Sequence, residues 1–243
     1  MDKDPREVKY SAKEHTDLVN TILAETKLKP YNIFRHIDIA GRRFVDIGCG
    51  DGAISRLAAD YGAEYILGID GKPEMIQIAN KLNPFYVETI DYKLGFIEDL
   101  NGRESFDVAI LSYLLNNAKS FDQLLKQCEK TASYLKPGGT VVVYNSNPFD
   151  IKGGDFTKYG FRKIITGTNE GDKIIYDYRP AIDEDIINYY ISPKRHEEAF
   201  TKAGFRDFKW EPLELYPGAD KDFWKDYFDR EHLPVIGITA RKA

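Results

Sequence analysis

The sequence of 243 residues predicts an α/β fold with a doubly wound, mostly parallel β-sheet, and three observations support this prediction. Short apolar runs alternate with helical patterns through residue 146. The fourth run, FDVAILSYLL, is apolar almost throughout, as is typical of a strand buried on both faces. Two later runs, RDFKWEPL and PVIGITARK, bring the predicted strands to seven. Alternating strands and helices imply parallel strands with helices on both faces of the sheet.

Each element follows from a local pattern. Residues 12–39 are predicted to be helical, because Leu18 and Ile22 fall on one helix face. The first three strands are RRFVDIG, YILGID and TIDYKLGFIEDL, the last including its exit loop. The helices GAISRLAADYG and KPEMIQIANKL follow the first two strands, and the helix SFDQLLKQCEKTASYL separates the fourth strand from the fifth, GTVVVYN.

The alternation stops after residue 146. Residues 147–191 are rich in Gly, Tyr and Phe, and the segments DKIIYDY and DIINYYI predict a β-hairpin there. A helix is expected again in SPKRHEEAFTKAGF, with Ser192 as its N-cap, Pro193 at its first position and Gly204 at its end. A short aromatic insert, DKDFWKDYF, separates the last two strands.

Composition excludes several classes of protein. The net charge of −5 and the pI near 5.5 argue against a protein that follows nucleic-acid backbones. No run of eighteen apolar residues is present, and the first 25 residues lack the apolar region of a secretory signal. Cys49 and Cys128 lie far apart, with no second thiol or histidine at ligand spacing. We therefore expect a cytoplasmic protein without a metal site.

The segment FVDIGCGDG, at residues 44–52, forms a glycine-rich loop between the first strand and its helix. Glycines at positions 48, 50 and 52 allow a sharp turn and a close approach of the backbone to a ligand. Gly48, Gly50 and Ala53 also satisfy the dinucleotide pattern, with Asp70 about twenty residues further on. Asp46 and the acid inside the loop favour a cationic ligand over a phosphate, because like charges repel.

Taken with the turn LKPGGTVVV, these motifs closely resemble those of class I S-adenosylmethionine-dependent methyltransferases. In that family the loop has the pattern acid-x-Gly-x-Gly-x-Gly, the second strand ends in an acid, and an LKPGG-type turn precedes the fifth strand. The resemblance covers about residues 35–146 and the last two strands. It implies a Rossmann-like seven-stranded sheet with an antiparallel last strand. It also implies S-adenosylmethionine as cofactor and S-adenosylhomocysteine as product.

The resemblance further implies roles for individual residues. Gly48, Gly50 and Gly52 would surround the methionine portion, with Asp46 beneath them. Asp70 would accept both ribose hydroxyls, the alternative being a cap on the following helix. The other implied cofactor-binding positions are Tyr10, Cys49, Gly71, Met75, Ile97, Glu98, Asp99, Ser112 and Tyr113. Which of the two acids, Glu98 or Asp99, contacts adenine is left open.

On this basis residues 1–243 form a single methyltransferase domain in four parts. These are an N-terminal helical cap (1–40), a cofactor-binding core (41–146), a substrate lid (147–191) and a C-terminal helix with strands (192–243).

When the methyl group of a sulfonium is displaced, the thioether is already a good leaving group. The main requirement for catalysis is therefore to align the acceptor with the methyl carbon in a pocket that excludes water. No acid and histidine are visibly placed as a general base, which favours an acceptor that is already nucleophilic. The catalytic candidates are Tyr113, Asn116 and Asn145, and the candidate substrate-binding residues are Asn116, Asn117, Tyr159, Tyr178 and Tyr190.

Three segments outside the loop, FDIKGGDFTKYGF, AFTKAGFRDFKWEPL and DFWKDYF, are similar to those of the bacterial small-molecule methyltransferases of toxoflavin (azapteridine) biosynthesis. This likeness implies secondary metabolism and a small planar heteroaromatic acceptor, methylated at nitrogen or oxygen. We expect no nucleic-acid or membrane partner, and a monomer or a homodimer. The alternatives left open are an RNA or protein methyltransferase and a non-enzymatic nucleotide-binding module.

Overall fold

The computed structural model describes residues 37–97, 105–180, 183, 185–215 and 218–243, which form two β-sheets with helices against them. The strands of the larger sheet are β1 (Arg43–Ile47), β2 (Tyr65–Asp70), β3 (Ile90–Leu94), β4 (Phe106–Ser112), β5 (Leu135–Ser146), β10 (Phe205–Glu211) and β11 (Val235–Lys242). The smaller sheet, which we call the lid, contains β6 (Gly154–Phe156), β7 (Phe161–Ile165), β8 (Lys173–Asp177) and β9 (Ile186–Tyr189). The helices are α1 (Ala53–Asp60), α2 (Pro73–Lys81), α3 (Phe121–Tyr134), α4 (Pro193–Lys202) and α5 (Lys221–Phe228), with 3₁₀ turns at Leu115–Asn117 and Thr157–Tyr159.

The larger sheet confirms the predicted fold class. Its strand order is β10-β11-β5-β4-β1-β2-β3, and β11 is antiparallel to both of its neighbours. The pairs β1–β2, β1–β4, β2–β3 and β4–β5 are parallel. Because the chain leaves the adjacent strands β1 and β4 in opposite directions, a crevice opens at their carboxyl ends.

Two apolar layers hold helices against this sheet. Val108 and Ile110 of β4 belong to the layer under α1, whereas Ala109 and Leu111 belong to the layer under α3 and α4. The central strand is therefore buried on both faces, as its apolar sequence predicted.

The lid contains more strands than the sequence indicated. The predicted hairpin is present, since β8 pairs with β9 in antiparallel register, and β6 and β7 extend it to four strands. The aromatic insert DKDFWKDYF, to which no helix was assigned, forms α5. Trp224 and Tyr227 of this helix are buried against Phe156 and Tyr159, because their spacing puts both rings on one helix face.

One cap differs from the prediction. Ser192 does lie at the N-cap position of α4, but its side chain makes no capping bond. Its hydroxyl instead donates to Glu170 Oε1 (2.6 Å), so α4 is connected to the loop between β7 and β8. Pro193 occupies the first helical position, and Gly204 follows the helix with φ of +87°.

Residues 1–36 lie outside the described residues, and with them most of the predicted N-terminal helical cap. The division into four parts therefore stays a prediction. Within the described residues, no helix is both long enough and apolar enough to cross a bilayer.

Candidate functional site

The glycine-rich loop is held by backbone hydrogen bonds from the end of β2. The amides of Gly48 and Cys49 both donate to Ile69 O, at 2.7 and 2.9 Å. Gly48, Gly50 and Gly52 have φ of 78°, 55° and 78°, a left-handed conformation that favours glycine. A Cβ on Gly52 would also overlap the Tyr92 hydroxyl. Gly52 is therefore required to be glycine for two reasons, its left-handed backbone and its close packing against Tyr92.

Asp70 connects this loop to the helix that follows β2. The Gly50 amide donates to Oδ2 of Asp70 (3.0 Å), and the Lys72 amide donates to Oδ1 (2.8 Å). The carboxylate thus orients the loop and also supports the start of α2, which was the alternative role considered for it. A carboxylate can accept about four hydrogen bonds in all, so ligand hydroxyls and backbone amides can share one.

Asp46 lies beneath the loop and is fully buried. The Ser55 hydroxyl donates to its Oδ2 (2.7 Å), whereas Oδ1 has no hydrogen-bond partner among the described residues. Burial raises the pKa of Asp46 to about 7, the hydrogen bond from Ser55 lowers it, and the negative charges of Asp70 and Asp51 raise it further. A positively charged ligand above the loop would oppose these effects.

A cavity of about 200 Å³ opens at the carboxyl ends of β1 and β2, beside this loop. Five predicted residues line it, namely Gly48, Asp70, Gly71, Ile97 and Asn117. The other lining residues are Ile47, Ile69, Gly95, Phe96, Leu114, Lys119, Gln123, Lys126 and Gln127. Sequence reasoning missed the polar face of α3 because its glutamines and lysines look like an ordinary exposed helix surface.

Several predicted cofactor residues lie elsewhere. Cys49 is buried, and burial raises the pKa of its thiol, so it packs as a small apolar residue. Met75 is buried in α2. In the described part of the chain neither residue lines the cavity. Tyr10, Glu98 and Asp99 lie outside the described residues.

The residues after β4 have an unusual backbone. Ser112 ends the strand, and Tyr113 has φ of 56°, which is rare for a residue other than glycine. The Tyr113 amide donates to Tyr144 O (2.7 Å), and its side chain is exposed. The next residue, Leu114, would lie 3.4 Å from a Cβ placed on Gly48. Strained residues of this kind cluster at functional sites.

The predicted substrate-binding tyrosines lie in the packing of the lid. Tyr159 stacks on Trp224, and its hydroxyl donates to Phe223 O (3.0 Å). Tyr178 stacks against Tyr176, and Tyr190 belongs to the same apolar cluster. Their role toward an acceptor stays a prediction.

The lid contacts the larger sheet through polar groups that sequence reasoning missed. The Tyr176 hydroxyl donates to Ser146 Oγ (2.8 Å) at the end of β5. Lys163 Nζ is buried and donates to Pro234 O (3.0 Å) and Asn147 O (3.3 Å), and it pairs with Asp150 (3.0 Å). No local signal marked this lysine, since its three partners come from distant positions in the chain.

Comparisons with known proteins agree with this geometry. The family model described as "Methyltransferase domain" matches residues 45–143. The chain is 31% identical over 113 residues to the ubiquinone biosynthesis O-methyltransferase of Xanthomonas euvesicatoria, a match that spans 46% of each protein. The chain thus spans about half the length of the curated relatives that it matches.

Solved structures show the same fold across most of the chain. A S-adenosylmethionine-dependent methyltransferase from Mesorhizobium loti aligns with a TM-score of 0.61 at 19% identity, over 85% of this chain and 93% of the other. The DhpI–SAH complex, in which SAH is S-adenosylhomocysteine, aligns with a TM-score of 0.58 at 14% identity, over 96% of both chains. The chain therefore has the fold of S-adenosylmethionine-dependent methyltransferases, and its residues 45–143 match their methyltransferase domain.

Proposed function

We propose that this protein transfers the methyl group of S-adenosylmethionine to nitrogen or oxygen of a small, planar, heteroaromatic metabolite. The observation that carries the proposal is the cavity of about 200 Å³ bordered by the left-handed glycine loop and by Asp70, which is bonded to that loop. It lies in the crevice where open α/β sheets bind their ligands.

The residues around this cavity fit S-adenosylmethionine better than a dinucleotide. The carboxylates of Asp51 and Asp70 place negative charge at the loop; burial is the largest cause of the raised pKa of Asp46, and these two charges raise it further. Asp46 Oδ1 has no partner among the described residues, so a buried acceptor is available near the loop. A pyrophosphate would be repelled by these acids, whereas an ammonium and a sulfonium would be attracted.

When bound, S-adenosylmethionine supplies a methyl group on a sulfonium, which is already activated for displacement. The protein then has three tasks. The glycine loop and Asp70 orient the cofactor, the residues after β4 and β5 orient the acceptor, and the lid excludes water. Orientation alone can contribute ~7–11 kcal/mol of the barrier. No histidine is among the described residues lining the cavity, which supports an acceptor that needs no strong base.

The small-molecule acceptor is supported by two observations. One is the name of the relative in ubiquinone biosynthesis, an O-methyltransferase. The other is the aromatic lid, in which Tyr178 is partly exposed and stacks on the buried ring of Tyr176. Pockets for planar ligands are mostly apolar and aromatic with a few polar groups. A toxoflavin-like acceptor is one member of this class, and the acidic composition disfavours RNA.

The substitution Asp70→Asn tests the cofactor site. The amide keeps one oxygen for a backbone N–H but loses the second acceptor and the charge. We expect the affinity for S-adenosylhomocysteine, measured by isothermal titration calorimetry, to fall about tenfold to a hundredfold. Asp60→Asn is the matched control, because Asp60 is an exposed acid that accepts a hydrogen bond from Tyr86 at the end of α1. Equal affinities in the two variants would contradict the assignment of Asp70.

A further inference from the structure

Two asparagines at the carboxyl end of the sheet have polar atoms that the described structure leaves unpaired. These atoms are Asn116 Nδ2 and Asn145 Oδ1, and each residue is only 3% exposed. Buried polar atoms are nearly always hydrogen-bonded in folded proteins, because an unpaired one destabilises the fold. Two such atoms on neighbouring strand ends therefore require an explanation.

The orientation of the Asn116 amide is fixed by its other atom. The backbone N–H of Ser146 donates to Asn116 Oδ1 at 3.0 Å. A backbone N–H can only donate, so the oxygen must lie on that side and the nitrogen on the other. The two N–H groups of Nδ2 consequently face a region where no described residue accepts them.

Asn116 lies between the cavity and the lid, and Asn145 lies near the end of the neighbouring strand β5. Asn116 precedes Asn117, which lines the cavity, and both belong to the 3₁₀ turn that packs against β9 of the lid. Asn145 is adjacent to Ser146, and its side chain is on the sheet face that carries Val143. The lid covers this end of β5 through the bond from Tyr176 to Ser146.

We propose that these two asparagines recognise the polar edge of the methyl acceptor, an inference that rests on the proposed function. The acceptor would place a carbonyl or ionised hydroxyl oxygen against Asn116 Nδ2, and an adjacent N–H or O–H against Asn145 Oδ1. A lactam or hydroxy-substituted heteroaromatic ring has such an edge. The turn that carries Asn116 packs against β9 of the lid, so the acceptor would reach these atoms when the lid lifts. The polar contacts of Tyr176 and Lys163 permit this, because water can replace them.

Three matched probes test the proposal on protein saturated with S-adenosylhomocysteine. 2-Quinolinone has both the carbonyl and the N–H, 1-methyl-2-quinolinone lacks the N–H, and quinoline lacks both. We expect 2-quinolinone to bind about tenfold or more tightly than either comparator in titrations followed by NMR, since 1-methyl-2-quinolinone leaves one of the two buried groups unpaired and quinoline leaves both unpaired.

Two variants test whether the asparagines cause the tighter binding of 2-quinolinone. Asn116→Asp keeps an oxygen for Ser146 N–H but removes the donor, so 2-quinolinone should bind about tenfold more weakly. Asn83→Asp is the control, because Asn83 is equally buried with an unpaired Oδ1 among the described residues, but lies before β3 at the other end of the sheet. Asn145→Leu should remove the discrimination between the two quinolinones. It should also raise the Tm of the free protein by about 2 to 4 °C, because it replaces an unpaired polar atom by an apolar one.

The outcomes separate the two proposals. If the wild-type protein does not bind S-adenosylhomocysteine, the proposed function fails. If it binds S-adenosylhomocysteine but binds all three probes equally, or none of them, the recognition of a donor–acceptor edge is overturned. If Asn116→Asp does not fold, as loss of S-adenosylhomocysteine binding would show, Asn145→Leu decides. A lower Tm with unchanged probe discrimination in that variant would make Asn145 a structural residue and refute the proposal.

Discussion

Replacing Asp46 by asparagine should stabilise the cofactor-free protein at neutral and alkaline pH. The carboxyl group is fully buried in β1, and it receives one hydrogen bond, from Ser55 at 2.7 Å. Burial raises its pKa from 3.8 to about 7, the bond from Ser55 opposes this, and the neighbouring acids Asp70 and Asp51 add to it. An amide fits the same space and can still accept the Ser55 hydroxyl without carrying a charge.

The direction of the pH dependence follows from proton linkage. Between pH 4 and pH 7 the folded protein keeps a proton on Asp46 that the unfolded chain has lost. The free energy of unfolding therefore falls as the pH rises through this window, and the loss is complete above pH 7. A rise of about three pKa units corresponds to about 4 kcal/mol, which is an upper limit for the stabilisation by Asp46→Asn at pH 8.

Urea denaturation of the wild type and the Asp46→Asn variant, from pH 5 to pH 8.5 without cofactor, measures this difference. We expect the two stabilities to diverge steadily as the pH rises, with the variant more stable above pH 7. For Asp60→Asn, at an exposed position on α1, the free energy of unfolding should change with pH in the same way as for the wild type. If the free energy of unfolding of Asp46→Asn also followed the wild type at all pH values, the reasoning from burial would be refuted.

Two further substitutions test the packing of the loop and of the lid. Gly52→Ala should destabilise the protein by about 1 kcal/mol more than Gly138→Ala in chemical denaturation. Both glycines have φ of 78°, but only at Gly52 would a Cβ overlap the Tyr92 side chain. Equal losses of stability in the two variants would show that backbone conformation alone matters. Lys163→Met should lower the stability by about 3–5 kcal/mol, because it leaves the buried Asp150 without its cation, and the added change Asp150→Leu should restore most of the loss. A double variant no more stable than Lys163→Met would contradict the role of this pair.

The cofactor half of the fold could be predicted because its requirements are local. The run that forms β4 is apolar on both faces, and that pattern alone indicates a central strand. Gly48 and Gly50 predict a left-handed backbone from the sequence alone, and in the structure they have φ of 78° and 55°. Asp70 ends a strand that neighbours β1, so its approach to the loop follows from the topology.

The acceptor half could not be predicted to the same depth, because its contacts join distant positions. Lys163 occurs in the short segment FRKII, which gives no sign that the lysine is buried against Pro234, 71 residues later. Tyr159 is predicted to bind substrate, and no local pattern indicates that its hydroxyl donates to Phe223 O of α5, 64 residues later. The unpaired atom of Asn116 becomes visible only once Ser146 is found to occupy the other side of its amide.

A thermal-shift titration with S-adenosylhomocysteine, in parallel with NAD, tests the central claim about the glycine loop most directly. A ligand at a hundred times its dissociation constant stabilises the folded protein by ~2.7 kcal/mol, or about 5 to 11 °C in Tm for a chain of this size. We expect a shift of that order with S-adenosylhomocysteine and none with NAD. A shift with NAD and none with S-adenosylhomocysteine would mean that the loop binds a dinucleotide, and the proposed methyl transfer would be wrong.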